Sequence, residues 1–180
     1  MKSRNVLRPE ELVDAAIARH RPSRQVERHS LADVLARELE RMQSPKTGII
    51  TPYRMLNHLI VGGFQKGELI YLGARPGVGK STMALEIART AAKNGQRVLI
   101  VSRGMLDIAL ARRMLAQEGM LKASALKMGA LYTPVVCRVA ERLANLPIWI
   151  TDSASSLSEI ESLMDGIDLL IVDYLQLVVA

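Results

Sequence analysis

The chain of 180 residues contains one cysteine, one phenylalanine, one tryptophan and four tyrosines. Each scarcity excludes something. A lone Cys137 rules out an internal disulfide and suits a reducing cytosol. Aromatics at 3% beside hydrophobic residues at 49% require a core of aliphatic side chains and methionine. No apolar run approaches the ~20 residues that span a bilayer. Met1-Lys2-Ser3-Arg4 does not lead into the apolar stretch of a secretory signal, so a cytoplasmic protein with no membrane partner is expected. His20, His29 and His58 lack metal-site spacing, and no Ser/His/Asp or Cys/His set presents itself. Internal repeats and low-complexity tracts are missing too. A net charge of +6 and a pI near 9.8 permit a polyanionic partner without establishing one. The first 44 residues hold nine Lys/Arg against seven Asp/Glu, so the excess is not a single basic tail.

The most informative stretch present is Leu69-Ile-Tyr-Leu-Gly-Ala-Arg-Pro-Gly-Val-Gly-Lys-Ser-Thr82: an apolar segment, a glycine-bearing turn, then Lys-Ser opening a helix. Free backbone N–H groups at a helix start, aided by its positive dipole end, can surround a polyphosphate. The residues Ala74, Arg75, Pro76, Gly77, Val78, Gly79, Lys80, Ser81 and Thr82 are therefore the expected phosphate cradle. In the pattern G-x-x-x-x-G-K-[ST], Lys80 reaches the β- and γ-phosphates and the Ser81 hydroxyl ligates Mg²⁺. Ala74 stands where that pattern has its first Gly, and Gly73 is one residue too early to replace it.

Around this loop the chain divides in two. Residues 1–44 read as a helical segment suited to linking or oligomerisation, with Leu12, Val13, Ala16 and Ile17 on one helix face (Pro9 to His20) and Leu31, Val34, Leu35, Leu39 and Met42 on a second. Ser30 and Asp33 resemble a capping box for the second helix, and Ser44 to Gly48 reads as a linker. Residues 45–180 alternate strands with helices, the signature of a parallel α/β sheet. Strands are expected at Glu68–Leu72, Val98–Val101, Leu146–Thr151 and Leu169–Val172, the third placing Trp149 in the core. Helices are expected at Lys80–Lys93, Asp107–Gln117 and from Pro134 to about Asn145, with another capped by Ser156 and Glu159.

The fourth strand ends in Asp173, about ninety residues after the loop. An acidic residue at the C-terminal end of a buried parallel strand lies in the crevice where α/β sheets bind ligands. Paired with the loop, it reads as the aspartate that holds Mg²⁺ through water. The expected ligand is thus a nucleotide polyphosphate that brings Mg²⁺ with it.

Three further strings make the reading specific. Thr47-Gly-Ile-Ile-Thr-Pro-Tyr-Arg-Met-Leu-Asn57, Gly62-Gly-Phe-Gln-Lys-Gly-Glu-Leu-Ile70 and Ala74-Arg-Pro76 running into Lys80 resemble the ATPase domain of DnaB-type replicative DNA helicases. Asp173-Tyr-Leu-Gln-Leu177 is similar to that family's second nucleotide motif. Ala in place of the first glycine is common there. Arg75-Pro76 and the Asp-Tyr-Leu-Gln-Leu string favour this family over its RecA/RadA-like recombination and circadian-clock relatives. The resemblance covers Lys46 to Val178 and implies a RecA-like fold, a homo-oligomeric ring of six subunits, ATP with Mg²⁺, and movement along single-stranded DNA. It also implies that the helices before Ser44 dock on an adjacent subunit.

Two departures qualify it. Where the family has Ser-Leu-Glu-Met, with a glutamate that polarises the attacking water, this chain has Ser102-Arg-Gly-Met105. Gly104 therefore occupies the general-base position without being competent for it, and losing a positioned base costs about 10²–10⁴ in rate. Asp107 could substitute only if the turn were reshaped. The chain also stops at Ala180, before the family's DNA-binding loops, γ-phosphate sensor and arginine finger, so weak hydrolysis in isolation is expected. An apolar sheet edge and the tail Leu175 to Val179 are expected to be exposed and to promote self-association. The competing expectation is a non-catalytic nucleotide-binding module that docks on intact helicase subunits. A small P-loop kinase would need an acceptor site and a lid, for which no residues are evident.

Overall fold

The computed structural model describes residues 28–43, 48–127 and 133–174. The expected helix at Pro9–His20, most of the Ser44–Gly48 linker and the tail after Tyr174 lie outside the described residues. In chain order the elements are α1 (Leu31–Gln43), α2 (Arg54–Leu59), α3 (Lys80–Lys93), β1 (Val98–Ser102), α4 (Asp107–Glu118), α5 (Ala123–Lys127), α6 (Pro134–Ala144), β2 (Ile148–Thr151), α7 (Leu157–Ser162) and β3 (Leu169–Asp173).

The sheet is parallel and three-stranded, with β1 between β2 and β3. Val98 stands opposite both Ile148 and Leu169, and Ser102 opposite Asp173. Strand side chains alternate, so β1 serves two cores. Val98 and Ile100 pack with Leu85, Ala88, Ala91 and Ala92 of α3 and with Leu110 and Met114 of α4. On the other face Leu99 and Val101 pack with Ala154 and Ile160, joined by Leu170 and Val172. The result is helices on both faces of a parallel sheet whose central strand is fully buried, with an almost wholly aliphatic interior.

Local signals set the helix ends. The Ser30 hydroxyl accepts from the Asp33 N–H at 3.1 Å and donates to its carboxylate at 2.6 Å. The Thr133 hydroxyl accepts from Val136 N–H, with Pro134 in the first helical position. At α7 the box is reciprocal: Ser156 caps Glu159 N–H, and the Glu159 carboxylate accepts from Ser155 and Ser156 N–H groups, which hold its carboxyl below the usual range. Gly95, at φ +85°, turns the chain out of α3.

Three expectations need correction. Glu68–Leu72 forms no strand: it pairs with no neighbour, and Leu69 is 66% exposed. A β-former makes a strand only where a ladder partner is available, and the described sheet pairs β3 on one side alone. Trp149 is 50% exposed rather than core, because β2 is an edge strand and α7 covers the β1 and β3 side of that face. The third strand starts at Ile148, not Leu146; Pro147 has no N–H to give the ladder, and its carbonyl accepts from Val98. The helices α2 and α5 were not expected, being too short to show periodicity.

One ion-pair group ties α3 to α4. Glu118 accepts from Arg89 at 2.6 Å and from Lys93 at 2.8 Å, with Arg89 and Glu118 nearly buried. The Lys93 hydrogen bond, chiefly, holds the Glu118 carboxyl below its ordinary value, against the opposing effect of burial. Glu118→Ala is expected to cost about 2 kcal/mol, short of the ~3–5 kcal/mol of a fully buried pair because Lys93 is solvated. The melting temperature should then fall by roughly 4–8 °C. A depressed folded-state pKa gives stability that is complete above the unfolded value of 4.5 and lost as pH falls through the folded one. The difference between the two proteins should therefore be full at pH 7 and shrink below about pH 4.5 in urea melts at stepped pH.

Candidate functional site

Residues 73–79 leave the Leu72 end of the unpaired segment and enter α3. Gly77 at φ +81° and Gly79 at φ +109° adopt the left-handed conformation that disfavours any side chain. A Cβ on Gly77 would meet nothing within 4 Å, so the demand for glycine there is conformational and the loop is open. Gly79 is the N-cap of α3 and gives no side-chain cap, which leaves the first-turn N–H groups available to an anion. Lys80 opens the helix, and its Nζ donates to the Ala74 carbonyl at 3.1 Å, holding the ammonium over the loop. Ser81 is half-buried in the first turn, while Ala74, Arg75, Pro76, Val78 and Thr82 are exposed. Gln117 of α4 donates to the Thr82 carbonyl at 3.0 Å and anchors that turn. Cationic ammonium, free N–H groups and a hydroxyl thus converge on one concave turn, a donor set that fits a polyphosphate with its metal ion.

The remaining predicted residues lie at the C-terminal ends of β1 and β3. Asp173, half-buried, closes β3 opposite Ser102, and its carbonyl accepts from Arg103 N–H at 2.8 Å. Arg103 also donates to the Asp152 carbonyl at 3.0 Å, and Asp107 N–H to the Asp152 carboxylate at 3.3 Å. The Ser102 hydroxyl closes the turn by donating to the Met105 carbonyl at 2.7 Å. One oxygen of the Asp107 carboxylate accepts from the Ile108 N–H at the start of α4. α3 packs against β3, the strand that Asp173 closes.

Gly104 lies in this turn under an aromatic ring. A Cβ there would stand 2.6 Å from both Cζ and the hydroxyl oxygen of Tyr174 and 2.8 Å from Cε1. Sequence reasoning saw only a missing carboxylate; two residues 70 apart leave no pattern that reveals their contact. Tyr53 was likewise missed. It lines a cavity of about 310 Å³ beside the loop, together with Leu72, Val78, Lys80, Thr82 and Met83, and its hydroxyl donates to Glu86.

A parallel sheet covered by helices, one of them opened by a glycine turn and a lysine, is the architecture of the RecA-like class of α/β domain. The solved structure of a DnaB-like replicative helicase, studied with its interactions with primase, superposes with a TM-score of 0.73 over 97% of this chain and 46% of that one, at 22% identity. A second solved structure, of an ATPase domain by itself, gives a TM-score of 0.71 over 85% of this chain and 60% of that one, also at 22% identity. At the sequence level, the DnaB-like helicase C terminal domain matches residues 48–180, and the chain belongs to that family. Replicative DNA helicase DnaB of Geobacillus stearothermophilus is 36% identical over 144 residues, covering 73% of this chain and 31% of that protein. Replicative DNA helicase DnaC of Bacillus subtilis (strain 168) is 33% identical over 166 residues, covering 83% and 36%. The chain thus spans about a third of the curated relatives it matches. No helix among the described residues is long and apolar enough to cross a membrane.

Proposed function

We propose that this chain binds Mg²⁺–ATP and acts as a nucleotide-binding part of a DnaB-type replicative helicase, with weak hydrolysis of its own. The observation that carries the binding is the loop: Gly77 and Gly79 hold left-handed backbone, and Lys80 stands over the Ala74 carbonyl at the open N-terminus of α3. Ala74 to Gly79 supply backbone N–H groups, Lys80 neutralises phosphate charge, Thr82 continues the first turn, and Ser81 with Asp173 would hold Mg²⁺. The metal, when bound, supplies charge neutralisation on the phosphates. Membership of the family supports single-stranded DNA and further helicase subunits, in a ring of six, as partners. The stripe of Leu31, Leu35, Leu39 and Met42 on α1 is exposed, which supports residues 1–44 as the segment that docks on a neighbour and 45–180 as the nucleotide-binding unit.

Gly104 favours a second reading, a subunit that holds nucleotide without turning it over. It offers no carboxylate, and a tyrosine ring lies against it. Calorimetry with Mg²⁺–ATP, followed by phosphate release with and without single-stranded DNA, tests both. Saturable binding with turnover about 10²–10⁴ below that of a relative with an intact base is expected. Vigorous DNA-stimulated release would sink the claim of weak hydrolysis, and no binding would sink the whole reading.

A further inference from the structure

We propose that Tyr53 is the platform on which the base of a bound nucleoside triphosphate stacks, and that Glu86 is the positioning residue that fixes its ring; this rests on the phosphate-loop reading. Thr82 and Glu86 are four residues apart on α3 and share one face of the helix. Because its hydroxyl donates to the Glu86 carboxylate, the Tyr53 ring is brought to that face within a turn or so of the phosphate-facing end. The cavity there is walled by Tyr53, Leu72, Val78 and Met83 and bordered by Lys80 and Thr82. Its volume of about 310 Å³ is at the lower end of the ~300–1,000 Å³ of small-molecule sites. A ligand whose phosphates sit at Lys80 leaves its remaining flat, aromatic portion to this apolar space.

The platform is also rigid. Asn57 accepts from Thr51 N–H at 2.9 Å and donates to the Thr51 carbonyl at 2.7 Å, and the Thr51 hydroxyl accepts from Tyr53 N–H at 3.2 Å. The backbone on both sides of the ring is clamped before any ligand arrives, so little ordering entropy is lost on binding. Burial, then the hydrogen bond to Glu86 and its charge, push the Tyr53 hydroxyl up to about 12, so the ring stays neutral and the bond stays donated at any working pH.

The test compares Mg²⁺–ATP with Mg²⁺–tripolyphosphate, which carries the phosphates without the base, by calorimetry on the full chain. Tyr53→Leu, which keeps apolar bulk and removes the π face, is expected to weaken ATP by roughly 5- to 150-fold, the range for a lost base–aromatic stack, and leave tripolyphosphate within twofold. Tyr53→Phe, which keeps the π face but loses the hydroxyl bond to Glu86, should weaken ATP less than Tyr53→Leu and to about the same degree as Glu86→Ala. Glu86→Ala should weaken ATP selectively while Glu86→Gln, which can still accept the hydroxyl, recovers most of it. Equal weakening of both ligands by Tyr53→Leu, or of neither, overturns the platform. Failure of the unaltered chain to bind tripolyphosphate overturns the phosphate-loop reading itself, and the platform with it. A melting temperature within a few degrees of the unaltered chain accompanies each variant as the check on folding.

Discussion

Replacing Lys80 with alanine should weaken Mg²⁺–ATP binding by about 100-fold or more, with the fold intact. The side chain is the one cation at the first helical position of α3, and its Nζ lies 3.1 Å from the Ala74 carbonyl, across the mouth of the loop. Charge-assisted hydrogen bonds contribute about 1.5–3 kcal/mol each, and an ammonium placed between two phosphates makes at least two. Part of that is lost to solvent screening, since the loop is open. What remains still exceeds the roughly 2.7 kcal/mol that corresponds to 100-fold. Alanine is the best helix former, so α3 should lose no stability from the exchange. Lys80→Arg keeps the charge but not the compact ammonium, and is expected to recover only part of the affinity. Unchanged binding by Lys80→Ala would show that the loop is not the phosphate site. Equal loss of affinity and of melting temperature would show instead that Lys80 is a structural residue.

The contrast between what the residues foretold and what they did not follows the range of the interactions. The loop, α3 and the caps at Thr133 and Ser156 were legible because each is written within a few consecutive residues: a left-handed glycine, a proline at the first helical position, a Ser-x-x-Glu box. β1 and β3 were legible as apolar runs of strand length, each flanked by polar residues. Glu68–Leu72 is an apolar run of similar length, yet a strand is a pairing rather than a string, and no ladder partner reaches it among the described residues. Trp149 failed for a related reason. Its alternation is correct for a two-faced strand, but which edge the strand takes depends on residues 50 positions away in β1. The site shows the same division. Lys80, Ser81 and Asp173 stood out by motif, whereas Tyr53 with Glu86, and Gly104 with Tyr174, are contacts between distant segments.

The second of those contacts decides what a restored carboxylate at position 104 can do. Gly104→Glu together with Tyr174→Ala is expected to raise ATP turnover by about 10²–10⁴-fold, the contribution of a positioned general base. Gly104→Glu alone should gain roughly tenfold less. Any side chain at 104 starts with a Cβ 2.6 Å from the Tyr174 ring, so the ring must leave before the carboxylate can take its place. Overpacking costs about 1–3 kcal/mol, and the atoms in the way belong to the outer end of a ring that is 43% exposed, which places the cost near the lower end of that range. About 1.4 kcal/mol is a factor of ten in rate. Tyr174→Ala by itself removes the obstruction without adding a base, and its turnover should match that of the unaltered chain. Phosphate release under saturating Mg²⁺–ATP for the four proteins closes a double-mutant cycle in which the coupling between 104 and 174 is read directly. Equal rates for the single and double glutamate variants would mean that the ring yields at no cost. No gain in either would mean that position 104 does not face the attacking water, and the missing glutamate would no longer explain weak hydrolysis. A full gain confined to the double variant would instead identify the glycine and the tyrosine as one unit, in which the ring of Tyr174, the residue after Asp173, fills the space a side chain at 104 would need.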